Sequence, residues 1–193
     1  MYKDIKENYK KYRWFYTSSG KIVIGGKSAD QNDYLLSELK KAKEDLIVLH
    51  TSSPGSPFSV ILSDIKKVTK EDTKEAAIFT SCFSQQWKQG KKKAEIHLFN
   101  LSQLSKQNKM KSGTWQAIGK IKNIDVQLEL GLTEQEGILR AVPISLIGNK
   151  KNLIKITPGK MMKEEKATKL LKELNNKYSK EEILSALPSG GFS

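Results

Sequence analysis

The chain has 193 residues, of which 37% are hydrophobic and 28% charged: enough apolar material for one ordinary domain and too much for a disordered chain. Its single cysteine, Cys82, excludes an internal disulfide framework, and neither a signal-peptide pattern nor a long apolar run occurs, so the expected setting is soluble, reducing and cytoplasmic, with no membrane partner. The net charge of +13 is unevenly placed: residues 88–122 hold nine cations against Glu95 alone, residues 150–180 hold ten against three acids, and residues 14–87 carry nine of each sign. Clusters of this kind are the footprint of a phosphate-binding surface; the competing reading is a solvated lysine-rich face.

In chain order, Arg13-Trp14-Phe15-Tyr16-Thr17 and Lys21-Ile22-Val23-Ile24 are β-rich runs around Ser18-Ser19-Gly20, which predicts a hairpin. Gly25-Gly26-Lys27 closes the second strand. Ser28 with Gln31 has capping-box spacing ahead of Leu35, Leu36 and Leu39 at helical intervals. Residues 46–50 and 58–62 predict two strands joined through Pro54-Gly55-Ser56-Pro57. A helix from Asp72 to about Gln89 would align Ala76, Phe79, Thr80, Phe83 and Trp87 on one face, with Gly90 as its stop. The period then returns to two, predicting strands at 94–99, 115–118, 124–130 and 138–142, with Glu134 and Glu136 in a turn. Ala167, Leu170, Leu171, Leu174 and Tyr178 mark an amphipathic helix, and Ser179 with Glu182 caps a short last one that Pro188 ends. The tail at 189–193 is expected to fray or to be pinned by Phe192 alone. Strands and helices do not alternate strictly, and no repeat or linker divides the chain. The expectation is one α+β domain over residues 1–193, with its core at roughly 12–175 and a helical tail at 164–193. Its sheet should be mixed or antiparallel, with packed helices and a basic groove.

Groups for catalysis are scarce: two histidines, His50 and His97, and one cysteine. No Walker loop, HExxH, GxSxG or CxxC occurs, so the chain reads as a non-enzyme without metal or cofactor. His97 alternates with Ile96 and Leu98 as a strand-face residue does, and Cys82 beside Phe83 reads as a structural thiol. Recognition features remain, each with two readings. Gly25-Gly26 with Lys27 at a helix start is a plain tight turn or a phosphate cradle. Trp87 is core or a stacking platform beside Lys88, Lys91, Lys92 and Lys93. The basic loop around Lys106, Lys109 and Lys111 is disordered, or orders on RNA. His50, ending an apolar strand before a turn, is a rim histidine that holds the turn or a groove residue that meets RNA.

Tyr12-Arg13-Trp14-Phe15, then Val23-Ile24-Gly25-Gly26-Lys27 and Gln31-Asn32, resemble the opening signature of the NFACT RNA-binding domain (NFACT-R, or DUF814), known from the nuclear export mediator factor and from ribosome quality-control proteins. His50 followed by Gly55, Pro57, Val60 and Ile61 is similar to the family's next segment. The resemblance continues through Ala76-Ala77 to Trp87 and Gly90, Gly113-Thr114-Trp115 to Gly119, and Ile156-Thr157-Pro158-Gly159, so that it spans roughly residues 12–175. Where members commonly carry an aspartate and a second histidine after the His50 equivalent, this chain has Ser52 and Pro54, and Leu62 stands where a lysine often follows. The family's N-terminal domain, helix-hairpin-helix and coiled coil do not occur in the sequence, which resembles a stand-alone branch.

The resemblance implies RNA binding, to tRNA or to rRNA within a ribosomal subunit, through phosphate contacts and aromatic stacking. Together with the charge clusters it marks Arg13, Gly25, Gly26, Lys27, Asn32, His50, Gly55, Lys88, Lys91, Lys92, Lys93, Lys109 and Lys111 as the RNA-binding set. Rival expectations are a targeting subunit of a tRNA-modification system, a DNA or polyanion binder, and an RNA-processing enzyme built on Asp30 or Asp33. The first needs a partner enzyme, and a short exposed apolar patch at 187–192 is the place to look for its docking site.

Overall fold

The computed structural model describes residues 2–148 and 153–193; Lys150 and Lys151 of the second charge cluster lie outside the described residues. A short helix that the pattern did not signal, α1 (Lys3–Glu7), buries Ile5 and leads into the predicted hairpin of β1 (Arg13–Tyr16) and β2 (Ile22–Gly25). Its register sets Arg13 opposite Gly25 and Tyr16 opposite Ile22. α2 (Ala29–Lys41) starts where the Ser28 side chain accepts from the Gln31 N–H, and it buries Leu35, Leu36 and Leu39. β3 (Ile47–Thr51) and β4 (Ser59–Ile61) form where expected.

The single helix expected next is two, α3 (Lys70–Cys82) and α4 (Gln85–Lys88). Ser84 makes the break. Its hydroxyl donates to the Ser81 carbonyl at 2.6 Å and accepts from the Gln86 N–H at 3.0 Å, so it closes one helix and caps the other. Gly90, at φ +71, turns the chain into β5 (Lys93–Asn100). β6 (Leu104–Ser105) and β7 (Gln116–Ala117) pair as a minimal ladder, shorter than the strand expected at 115–118. The run at 124–130 also divides: β8 (Lys122–Gln127) and β9 (Leu130–Gln135) belong to different sheets. Glu134 lies on β9 rather than in a turn. Only Glu136 and Gly137, both at positive φ, make the two-residue connection to β10 (Ile138–Pro143). β11 (Lys155–Ile156), β12 (Pro158–Met161), α5 (Lys163–Glu173) and α6 (Lys180–Ala186) complete the chain.

The larger sheet runs β1-β2-β4-β3-β5-β8, antiparallel throughout. Alternation sends Trp14, Ile24, Val48, Val60 and Phe99 to the face covered by α2, and Phe15, Val23, Leu49, Ile61 and Ile96 to the face covered by α3. The second sheet, β10-β9-β11, packs with α5 and α6 around Trp87, Leu130, Leu170 and Phe192. Trp87 is therefore core, with its ring 5.6 Å from that of Phe192. The tail is pinned: Phe192 bridges Pro158 and Met161, and Leu187 and Phe192 are buried, which removes the apolar patch expected at 187–192.

Strand β1 is a sheet edge whose open side is covered by side chains from the second sheet. The Gln135 amide accepts from the Tyr16 N–H and donates to the Tyr16 carbonyl, each at 2.8 Å, and the Arg140 guanidinium donates to the Trp14 carbonyl at 2.7 Å. Two side chains thus imitate the ladder that a neighbouring strand would supply. Among the described residues no helix is long and apolar enough to cross a membrane.

Candidate nucleic-acid interface

Helix α2 covers only part of its sheet face. Past its N-terminal end lies a cleft of about 710 Å³, floored by His50, Phe58, His97 and Phe99. Its rim is made by Gly26, Lys27 and Ser28 at the head of α2, by the turn at 54–57, by Lys88 of α4 and by the segment Lys111–Trp115.

The glycine turn is shaped by a neighbour. Gly26 keeps a negative φ, so it is not the left-handed residue that a cradle of outward N–H groups would need. A Cβ there would lie 2.1 Å from the Asn32 side-chain oxygen, and that oxygen accepts from the Phe58 N–H at 3.2 Å. The Lys27 N–H is also taken, by the Gln31 side chain at 2.8 Å. The two N–H groups that would have met a phosphate are spent locally, since Gly26 donates to the Phe58 carbonyl. Asn32 and Gly26 are thus the joint between α2 and β4, and the backbone N–H groups of this turn are engaged within the protein. Gly55, at φ +92, accepts from the Gln85 N–H at 3.0 Å and fastens the 54–57 turn to α4.

His50 lies on the floor of the cleft, directly opposite His97 in the β3–β5 register. Its ring packs on Phe58 at 4.5 Å, and its Nδ1 is 2.7 Å from the Thr51 carbonyl. Burial pushes the imidazole below its ordinary value, the bond to Thr51 opposes this, and His97 adds to the lowering.

Four cations line the cleft: Arg13, Lys27, Lys88 and Lys111. No aspartate or glutamate lines it, and none of the four forms an ion pair among the described residues. Arg13 donates to the Gly26 carbonyl at 2.8 Å and faces the Phe83 ring at 5.7 Å. Burial, and then Arg13 and Arg140 nearby, depress Lys27. A cationic lining without an acid in it favours anions at this position.

One wall is held by a carboxylate that faces away from ligand work. Asp33 accepts from the Lys106 ammonium at 2.7 Å, the Trp115 indole at 2.8 Å and the Gly113 N–H at 3.0 Å. Burial works to raise its carboxyl, but these donors outweigh it and hold it below the usual range. Asp30 in turn accepts from Ser112 at 2.6 Å. The basic loop is therefore folded against α2, and both aspartates proposed for an RNA-processing centre are occupied in fastening it. Cys82 is fully buried, which pushes its thiol well up.

The cleft gathers Arg13, Gly26, Lys27, Asn32, His50, Gly55, Lys88 and Lys111. It does not gather Gly25, whose neighbour is Ser59, nor Lys91, Lys92, Lys93 and Lys109, which are exposed elsewhere; Lys92 donates to the Pro158 carbonyl at 2.6 Å. Phe58, Phe83, His97 and Trp115 were missed by sequence reasoning. His97 joins His50 only through strand pairing, a relation between residues far apart in the chain that no local pattern displays.

The family described as NFACT protein RNA binding domain matches residues 11–119. The archaeal Rqc2 homolog aRqcH of Methanocaldococcus jannaschii is 32% identical over 197 residues, covering 95% of this chain but 28% of that protein. The chain thus spans under a third of that relative's length. A solved structure of the C-terminal part of the fibronectin/fibrinogen-binding protein from Streptococcus suis superposes with a TM-score of 0.53 at 22% identity, over 60% of this chain and 45% of that one, which is a likeness of fold. With its opening signature, its cationic cleft and a matched segment that covers more than half its length, the chain belongs to the family of NFACT RNA-binding domains.

Proposed function

We propose that the cleft binds RNA, specifically tRNA or the rRNA of a ribosomal subunit, and that binding without chemistry is this domain's task, in a cytoplasmic role linked to translation and ribosome quality control. The observation that carries this is the lining: four cations and two histidines beside aromatic rings, without one carboxylate. Cations without acids attract phosphate, and rings beside them stack bases. The relative's designation as an Rqc2 homolog supports the translation-linked part. The rival with a partner enzyme loses its proposed docking patch, since Leu187 and Phe192 are core.

The test is equilibrium binding of labelled tRNA and of an rRNA fragment across a salt series, with a DNA of matching length as competitor. Affinity is expected to fall with a log–log slope corresponding to several phosphates, roughly −0.7 to −0.9 per contact. A flat salt response, or DNA competing as well as RNA, would overturn the reading.

A further inference from the structure

We propose that the cleft takes unpaired nucleotides, with His50 accepting a hydrogen bond from a base N–H that a duplex would occupy. The proposal rests on the RNA-binding reading above and adds to it the state of the RNA.

A backbone carbonyl can only accept, so the 2.7 Å approach of His50 Nδ1 to the Thr51 carbonyl places the ring proton on Nδ1. In the neutral ring Nε2 then carries a bare lone pair. Desolvation favours that neutral ring, as the direction of its shift indicates. Nε2 has no partner among the described residues, and it is not sealed in: the buried side-chain nitrogens and oxygens without partners among them are Ser59 Oγ and Trp87 Nε1. His50 therefore offers the cleft an acceptor in a lining otherwise dominated by donors.

The surroundings suit a base. Phe58 backs the His50 ring, and the indole N–H of Trp115 is tied to Asp33 at 2.8 Å, so both rings are held in place before any ligand arrives. At about 710 Å³ the cleft lies in the range of pockets that enclose small molecules, roughly 300–1,000 Å³. Duplex RNA is recognised over broad grooves by backbone and 2′-hydroxyl contacts, whereas splayed single-stranded bases insert and stack. Lys27 and Lys88 at the rim, with Arg13 behind Gly26, supply the phosphate contacts, and the ring-lined floor receives the base.

The test compares three probes on the intact chain at fixed salt: a short fluorescein-labelled oligoadenosine RNA, the same strand in a blunt duplex with oligouridine, and the single strand carrying N6,N6-dimethyladenosine, which lacks the amino donor. The plain single strand is expected to bind about tenfold tighter than the duplex, the gain that stacking alone provides. Dimethylation is expected to weaken it about fivefold, the worth of one hydrogen bond. A duplex that binds as well as the single strand overturns the preference for unpaired RNA and leaves RNA binding standing. A dimethylated strand that binds undiminished overturns the role of His50. If none of the three binds while tRNA and rRNA also fail, RNA binding itself is overturned.

Discussion

Gly26 is required by what sits beside it. Its backbone is open to any residue, yet a Cβ would press on the Asn32 oxygen at 2.1 Å and on the Asn32 backbone nitrogen at 2.9 Å. Replacement by alanine is expected to lower stability by about 2 kcal/mol, as overpacked sites do, measured by thermal unfolding. Because the strain falls on the Asn32 side chain, Asn32→Ala should cost less in the Gly26→Ala background than in the parent chain. Additive costs would mean that the two residues do not share this joint. A similar dependence on neighbours governs Asp72, which reads in sequence as an ordinary acid in the first turn of a helix. It is fully buried and takes hydrogen bonds from Thr17 and Thr69 at 2.6 Å and 2.8 Å, with Lys21 at 3.0 Å.

At the scale of elements, the amphipathic segments were legible because their periods are set by burial on one side. The hairpin of β1 and β2, the helix α2 with its Ser28 cap, and α6 with Ser179 and Glu182 stand where local chemistry puts them. What local chemistry hides is the identity of the partner. The alternating run at 124–130 looks like one strand, and it divides because Val126 faces one core while Leu128 and Leu130 face another. The cleft was legible to the extent that charge and the glycine turn marked it. Its floor was not, since His97 reaches His50 only across β3 and β5. The basic loop at 106–111 reads in sequence as disordered or as ordering on RNA, and the residue that orders it without RNA, Asp33, lies on α2, far away in sequence. Asp33→Ala should release three donors at once. Faster amide exchange at Gly113 is expected, together with weaker RNA binding. Unchanged exchange there would show that the wall stands without its clamp.

For the whole molecule, charge and shape are distributed differently. Lys91, Lys92 and Lys93 lie outside the cleft, so the contribution expected of them under the proposed function is to the field that would bring RNA in. Reversing Lys91 and Lys93, and leaving Lys92 with its bond to the Pro158 carbonyl, is expected to slow association several-fold at low salt, to matter little at high salt, and to leave the melting temperature nearly unchanged, as stopped-flow and thermal scans would read. A change confined to the dissociation rate would put these lysines in direct contact with bound RNA instead.

The covering of β1 by Gln135 and Arg140 also sets an order of assembly. Both side chains come from beyond residue 119, where the match to the family ends, so the matched segment does not contain the groups that finish its own edge. A chain emerging residue by residue during synthesis has the hairpin early and its cover late. In that interval the edge carbonyls of Trp14 and Tyr16 are free to pair with a strand from another molecule. A fragment cut at the family boundary inherits the same unprotected edge permanently, while the longer chain closes it from within.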